Sequence, residues 1–144
     1  MKPKEFISQL DEIKIMDAIA EAERKSSGEI RVFVAHGDVD EPLPAAARQF
    51  TQLGMDKTRH RNGVLIFVAP AVRRFAVVGD SSVHQKCGDV FWRRVSGAMS
   101  ARMKQGKFIE AILEAVRAIG DLLAQHFPRD PDDRNELPNQ IVRG

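Results

Sequence analysis

The chain has 144 residues, with 22 Lys and Arg against 20 Asp and Glu, a formal net charge of +2, four histidines and one cysteine. That length suits a single domain with its own core. The lone Cys87 excludes an internal disulfide framework and a cysteine-cluster zinc site, and the near-balanced charge gives no case for nucleic-acid binding by the surface as a whole. No apolar stretch of signal-peptide type follows Met1–Lys4, and the longest uncharged apolar run, Gly63 to Val72, is too short to span a bilayer as a helix. The expectation is a soluble, cytoplasmic chain without a transmembrane segment.

From Asp11 to Lys25, apolar residues at Ile13, Met16, Ile19 and Ala20 recur at helical spacing, and Ser26-Ser27-Gly28 ends the helix. Glu29 to Ala35 (EIRVFVA) reads as a strand. Ile30, Val32 and Val34 fill one of its faces, while Phe33 and Ala35 share the other with Arg31, the pattern of a strand covered on both sides. After the acidic loop His36 to Glu41, Pro42 and Pro44 lead into a helix over about 45–53 that Gly54 closes. A polar connector, Met55 to Asn62, precedes a second buried strand, Gly63 to Ala69 (GVLIFVA), and a short turn returns the chain along Arg74 to Val78. Residues 79–88 read as a loop with about one helical turn, and Asp89 as the cap of a helix reaching Lys104. Gln105-Gly106 breaks that helix, and Phe108 to His126 forms the cleanest amphipathic helix of the chain. The order predicts an α/β fold, a Rossmann-like three-layer α/β/α sandwich around a small mixed sheet, with a parallel crossover and then an antiparallel hairpin. One domain covers 1–128, and a polar tail, 129–144, packs on or extends from it.

Connectivity alone places a site. Parallel strands one and two begin at the same sheet edge, and strand three returns to it, so Glu29, Asn62 and Asp80 converge there, with Asp89 on the adjoining loop. Carboxylates and an amide are hard oxygen ligands suited to calcium or another divalent cation, and Arg59, His60 and Arg61 lie beside them for an anionic group. The same residues also have structural uses, as strand-end, turn and helix-cap residues. The loop Asp38-Val39-Asp40-Glu41 falls at the opposite edge and lacks the ligand spacing of an EF-hand, so it reads as solvated acid. Cys87 and Arg93 match a Cys-x5-Arg spacing, but Asp89, Val90, Phe91 and Trp92 between them are too bulky or acidic for a phosphate cradle. His36, His60, His84 and His126 sit in four separate segments without metal-ligand spacing, and no Walker, dinucleotide or nucleophile-elbow motif is present.

At Ser27-Gly28-Glu29-Ile30, Arg61-Asn62-Gly63-Val64-Leu65 and Val78-Gly79-Asp80 the chain resembles the TPM domain family. The pair Phe91-Trp92 and the tail Asp132 to Pro138 resemble its short bacterial branch. The resemblance covers nearly the whole chain. It implies an α/β/α Rossmann-like domain and a cleft at the derived edge whose acidic residues bind calcium or a similar cation; phosphatase activity has been proposed for some members. The chain departs from the full-length branch after strand three, where Gly79 to His84 replaces a longer glycine-rich segment.

Three functions compete. The first is a divalent-cation-binding domain with an interaction or regulatory role, its ligands drawn from Glu29, Asn62, Asp80 and Asp89. The second is a metal-assisted phosphomonoesterase in which Asp80 is ligand or nucleophile and Arg61 clamps oxygens. The third is a metal-free protein-interaction domain using the basic helix 91–107. The net charge hides a segregation that bears on all three. Residues 57–107 carry eleven basic side chains against two acids, Asp80 and Asp89, while both flanking blocks are net acidic. A protein partner or a small anionic ligand is the expected match for that block.

Overall fold

The computed structural model describes residues 8–129 and 137–144. Helix α1 spans Gln9–Arg24, with Ser8 accepting a hydrogen bond from the Asp11 amide as its N-cap. Strand β1 is Glu29–Val34. Helix α2 is Pro42–Gln52 and starts three residues earlier than the sequence pattern suggests, because both prolines fit its first turn. Strands β2 (Gly63–Ala69) and β3 (Arg74–Gly79) are joined by a 3-10 turn, Pro70–Val72. Helix α3 is Ser81–Lys104, α4 is Phe108–His126, and a two-residue strand, β4, is Val142–Arg143.

The sheet order is β3-β2-β1-β4, with β1 parallel to β2 and to β4 and β2 antiparallel to β3. Every residue of β1 and β2 is buried, as strands with helices on both faces require. On one face Ile30, Val32, Val34, Val64, Ile66 and Val68 meet α1, α3 and α4 through Ile15, Ile19, Phe91, Val95, Met99, Ile112, Val116 and Ile119. On the other, Phe33, Leu65 and Phe67 meet Ala46 and Phe50 of α2. The Phe33 and Phe67 rings stack there at 5.3 Å between centroids. This is the expected three-layer sandwich, with three helices on one side and one on the other.

Two sequence expectations change. Residues 81–87 form two helical turns where the sequence suggests about one, and Asp80, whose side chain accepts from the Ser81 amide, caps them; the helix from Asp89 follows beyond Gly88. Gly88 interrupts the helix at φ 67°, ψ −168°, a conformation open to glycine, and this break hides the first helical turns from a periodicity reading. The tail also does more than cover the surface. Ile141 is buried, and Val142 and Arg143 pair with Phe33 and Val34, closing the outer end of β1.

Phe91 and Trp92 divide their tasks. Phe91 is 1% exposed in the core, while Trp92 lies over Gly79, where an added Cβ would fall 2.3 Å from its ring. The Trp92 indole donates to His84 Nδ1 at 3.0 Å. Gly79→Ala therefore should displace the sole tryptophan and cost about 1–3 kcal/mol, read as a lower urea midpoint together with a shifted emission maximum.

Candidate functional site at the strand-start edge

The register sets the edge. Glu29 lies opposite Gly63 and Val64 opposite Gly79, so the starts of β1 and β2 and the end of β3 are neighbours. Most of the buried polar residues gather here: Glu23, Ser26, Glu29, Thr58, Asn62 and Asp80. Burial of polar groups is costly unless each finds a partner, so their bonding shows which of them are already committed.

Asn62 is a brace. Its Nδ2 donates to Ser27 Oγ at 3.1 Å and its carbonyl accepts from the Glu29 amide at 3.5 Å. Asp80 is engaged on both carboxylate oxygens, which accept from Arg61 Nε at 3.0 Å and Nη2 at 3.1 Å in a two-pronged ion pair. One of these oxygens, Oδ1, also accepts from the Ser81 amide at 2.7 Å. Arg61 holds this pose from a left-handed backbone at φ 52°, uncommon for a side chain of its size. Pairing with Asp80 keeps its guanidinium above the usual range. The remaining amides of the first turn of α3 are used as well: Ser82 donates to the Arg61 carbonyl, and Val83 and His84 donate to the Asp80 carbonyl. A helix start that commonly cradles anions is here filled by the chain's own oxygens.

The second centre is a carboxyl pair. Glu23, in the last turn of α1, and Glu29, at the start of β1, are 6% and 2% exposed. Glu23 Oε2 accepts from the Ile30 amide at 2.9 Å, and Glu29 Oε1 accepts from the Leu137 amide at 3.2 Å. Arg129 donates to the Glu23 carbonyl at 2.7 Å, so the C-terminal segment is tied to both acids. Burial pushes the Glu23 carboxyl up to about 9; the Ile30 amide and Arg129 oppose the shift, and the charge and hydrogen bond of Glu29 add to it. Among the described residues no donor reaches Glu23 Oε1. Two buried carboxyls in contact favour a proton shared between them, with the Arg129 charge acting against it.

Of the sequence-predicted residues, the fold brings Glu29, Asn62 and Asp80 to one edge. Asp89 is exposed, beyond the Gly88 break. Among the described residues no three His, Cys, Asp or Glu side chains are arranged to hold a metal ion. Cys87 is half-buried, and burial pushes its thiol up, the wrong direction for a nucleophile. Sequence reading missed Glu23. Its signal was a carboxylate in the buried stripe of α1, four residues after Ile19 and eight after Ile15.

The protein thus defined is an α/β/α sandwich with a closed Asp80–Arg61 corner and a buried carboxyl pair at one sheet edge. The chain belongs to the TPM domain family: the family profile for the TPM domain matches residues 1–122. It is similar over its whole length to BA42 from the psychrophilic bacterium Bizionia argentinensis, at 37% identity and a TM-score of 0.92, with 99% of each chain covered. The fold is shared with the N-terminal domain of cg2496 from Corynebacterium glutamicum, at 18% identity and a TM-score of 0.67 over 85% of this chain and 77% of that one. It is shared too with the N-terminal domain of a protein from P. gingivalis, at 18% identity and a TM-score of 0.66 over 87% and 83%. No curated protein sequence matches the chain. Among the described residues no helix is long and apolar enough to cross a membrane.

Proposed function

We propose that this TPM domain binds a divalent cation at the strand-start edge, in a regulatory rather than catalytic role. Glu29 and Glu23 supply the carboxylates and Asn62 stands beside them. The observation that carries the reading is the Glu23–Glu29 pair, two buried acids in contact whose mutual repulsion a cation would relieve. A hard cation such as calcium can replace the shared proton. In this account Asp80 shapes the edge by capping α3 and fixing Arg61, and Asp89 faces solvent outside it. The C-terminal segment is the natural reporter, because Leu137 donates to Glu29 and Arg129 to Glu23.

The phosphomonoesterase alternative needs Asp80 and Arg61 to act on a substrate. Each is bound to the other, and the adjoining amides of α3 are already paired. The purified chain is therefore expected to show no metal-stimulated hydrolysis of an aryl phosphate above a buffer control. Hydrolysis abolished by both Asp80→Asn and Arg61→Lys would replace the binding role with catalysis.

A further inference from the structure

One long face of the molecule is left unused by the carboxyl pair. The inner side of α3 is taken up in the core by Val83, Phe91, Val95, Met99 and Met103. Opposite them Arg93, Arg94, Gly97, Ala101 and Lys104 are all exposed. Their spacing puts them on one helical line about 16 Å long. A Cβ added at Gly97 would meet nothing within 4 Å, so this line opens to solvent. Arg102 leans the other way, onto Glu114 at 2.8 Å and Glu110 at 3.9 Å of α4. Among the described residues Arg93, Arg94 and Lys104 have no such carboxylate.

We infer that this face of α3 docks an acidic helical segment of a protein partner, seated on Gly97 and Ala101 and held by Arg93, Arg94 and Lys104. Charge complementarity names the occupant, since the face carries three unpaired cations and guanidinium groups match carboxylates with two parallel hydrogen bonds. The small residues at positions 97 and 101, one turn apart, let a second backbone approach closely. A lipid surface fits less well. Interfacial helices bury large apolar side chains on the membrane side, whereas the Phe91 ring is in the core, Trp92 covers Gly79, and Val90 is the one large apolar residue exposed on α3 among the described residues. The inference uses none of the carboxyl-pair residues and stands or falls separately from the cation site.

The test is fluorescence anisotropy of the full chain with a labelled, roughly twelve-residue Glu/Ala helical peptide, matching three turns of α3. Binding should weaken at least about tenfold as salt is raised enough to screen surface charges. The Arg93→Glu/Arg94→Glu double variant should lose at least about tenfold in affinity, and Arg93→Lys/Arg94→Lys should recover part of it. Gly97→Leu leaves every charge in place and should also lose about tenfold, by blocking close approach. Thermal melts by circular dichroism would verify that each variant is folded. Absence of peptide binding, wild-type affinity in the charge-reversed variant or in Gly97→Leu, or tighter binding to phosphatidylserine-containing vesicles or single-stranded DNA would overturn the inference.

Discussion

The metal-free chain should become easier to unfold as pH rises from about 4.5 towards 9, the interval between the ordinary and the folded-state value of Glu23. The sign follows from proton counting. Below the lower value the carboxyl is protonated whether the chain is folded or not. Between the two values the folded chain keeps a proton that the unfolded chain gives up, so each added pH unit lowers stability by about 1.4 kcal/mol at full slope. Above the upper value the loss is complete. Glu23→Gln should flatten this slope and raise stability at the alkaline end. Its carbonyl can still accept from the Ile30 amide, and its amide nitrogen can donate to Glu29 where the acid needed a proton. Urea midpoints across the pH series measure both effects, and an equal slope in the variant would mean that the proton resides elsewhere. A saturating bound cation should flatten the slope in the unmodified chain, because it displaces the proton that only the folded chain keeps.

Asp80→Ala should lose about 1–2 kcal/mol, the cost of losing the N-cap bond to the Ser81 amide. Asp80→Asn should lose less than about 1 kcal/mol, because asparagine caps nearly as well and the Arg61 partner is half exposed, where ion pairs contribute little. The contrast separates a structural acid from a ligand. If the Ala variant unfolds at the wild-type urea midpoint, Asp80 does not hold α3 and is free for another task.

These two acids show how far the chain can be read before its fold is known. β1 and β2 were legible because their apolar residues occupy both faces, and that pattern also announced helices on either side. Parallel pairing then brought Glu29, Asn62 and Asp80 to one edge from connectivity alone. The role of Asp80 was harder to read. His84, Gln85 and Lys86 are polar, and Gly88 breaks the helical period, so the sequence leaves Asp80 at most a short turn to cap and starts the long helix at Asp89. Glu23 could not be matched to Glu29 in advance, since the turn through Ser26–Gly28 decides whether the two side chains face one another. β4 was invisible for a simpler reason. Two paired residues in a polar tail are too few to show alternation, and only the open end of β1 reveals their use.

Burial sets the order of importance at this edge. Asp80 and Arg61 form the more conspicuous pair, but they satisfy each other, and Arg61 is 52% exposed. The Glu23–Glu29 pair is hidden and tied to Ile30, Leu137 and Arg129, so a small change there reaches the β1 start and the C-terminal segment together.

Calcium titration followed by amide NMR, with proton release measured in parallel near pH 8, below the folded-state value of about 9 for Glu23, addresses the cation site most directly. The expected result is saturable movement of the Ile30 and Leu137 amides, which donate to the carboxyl pair, with about one proton released per cation and neither effect in Glu23→Gln. Ile30 and Leu137 amides that stay in place at millimolar calcium, or binding that releases no proton and survives Glu23→Gln, would contradict a cation held between Glu23 and Glu29.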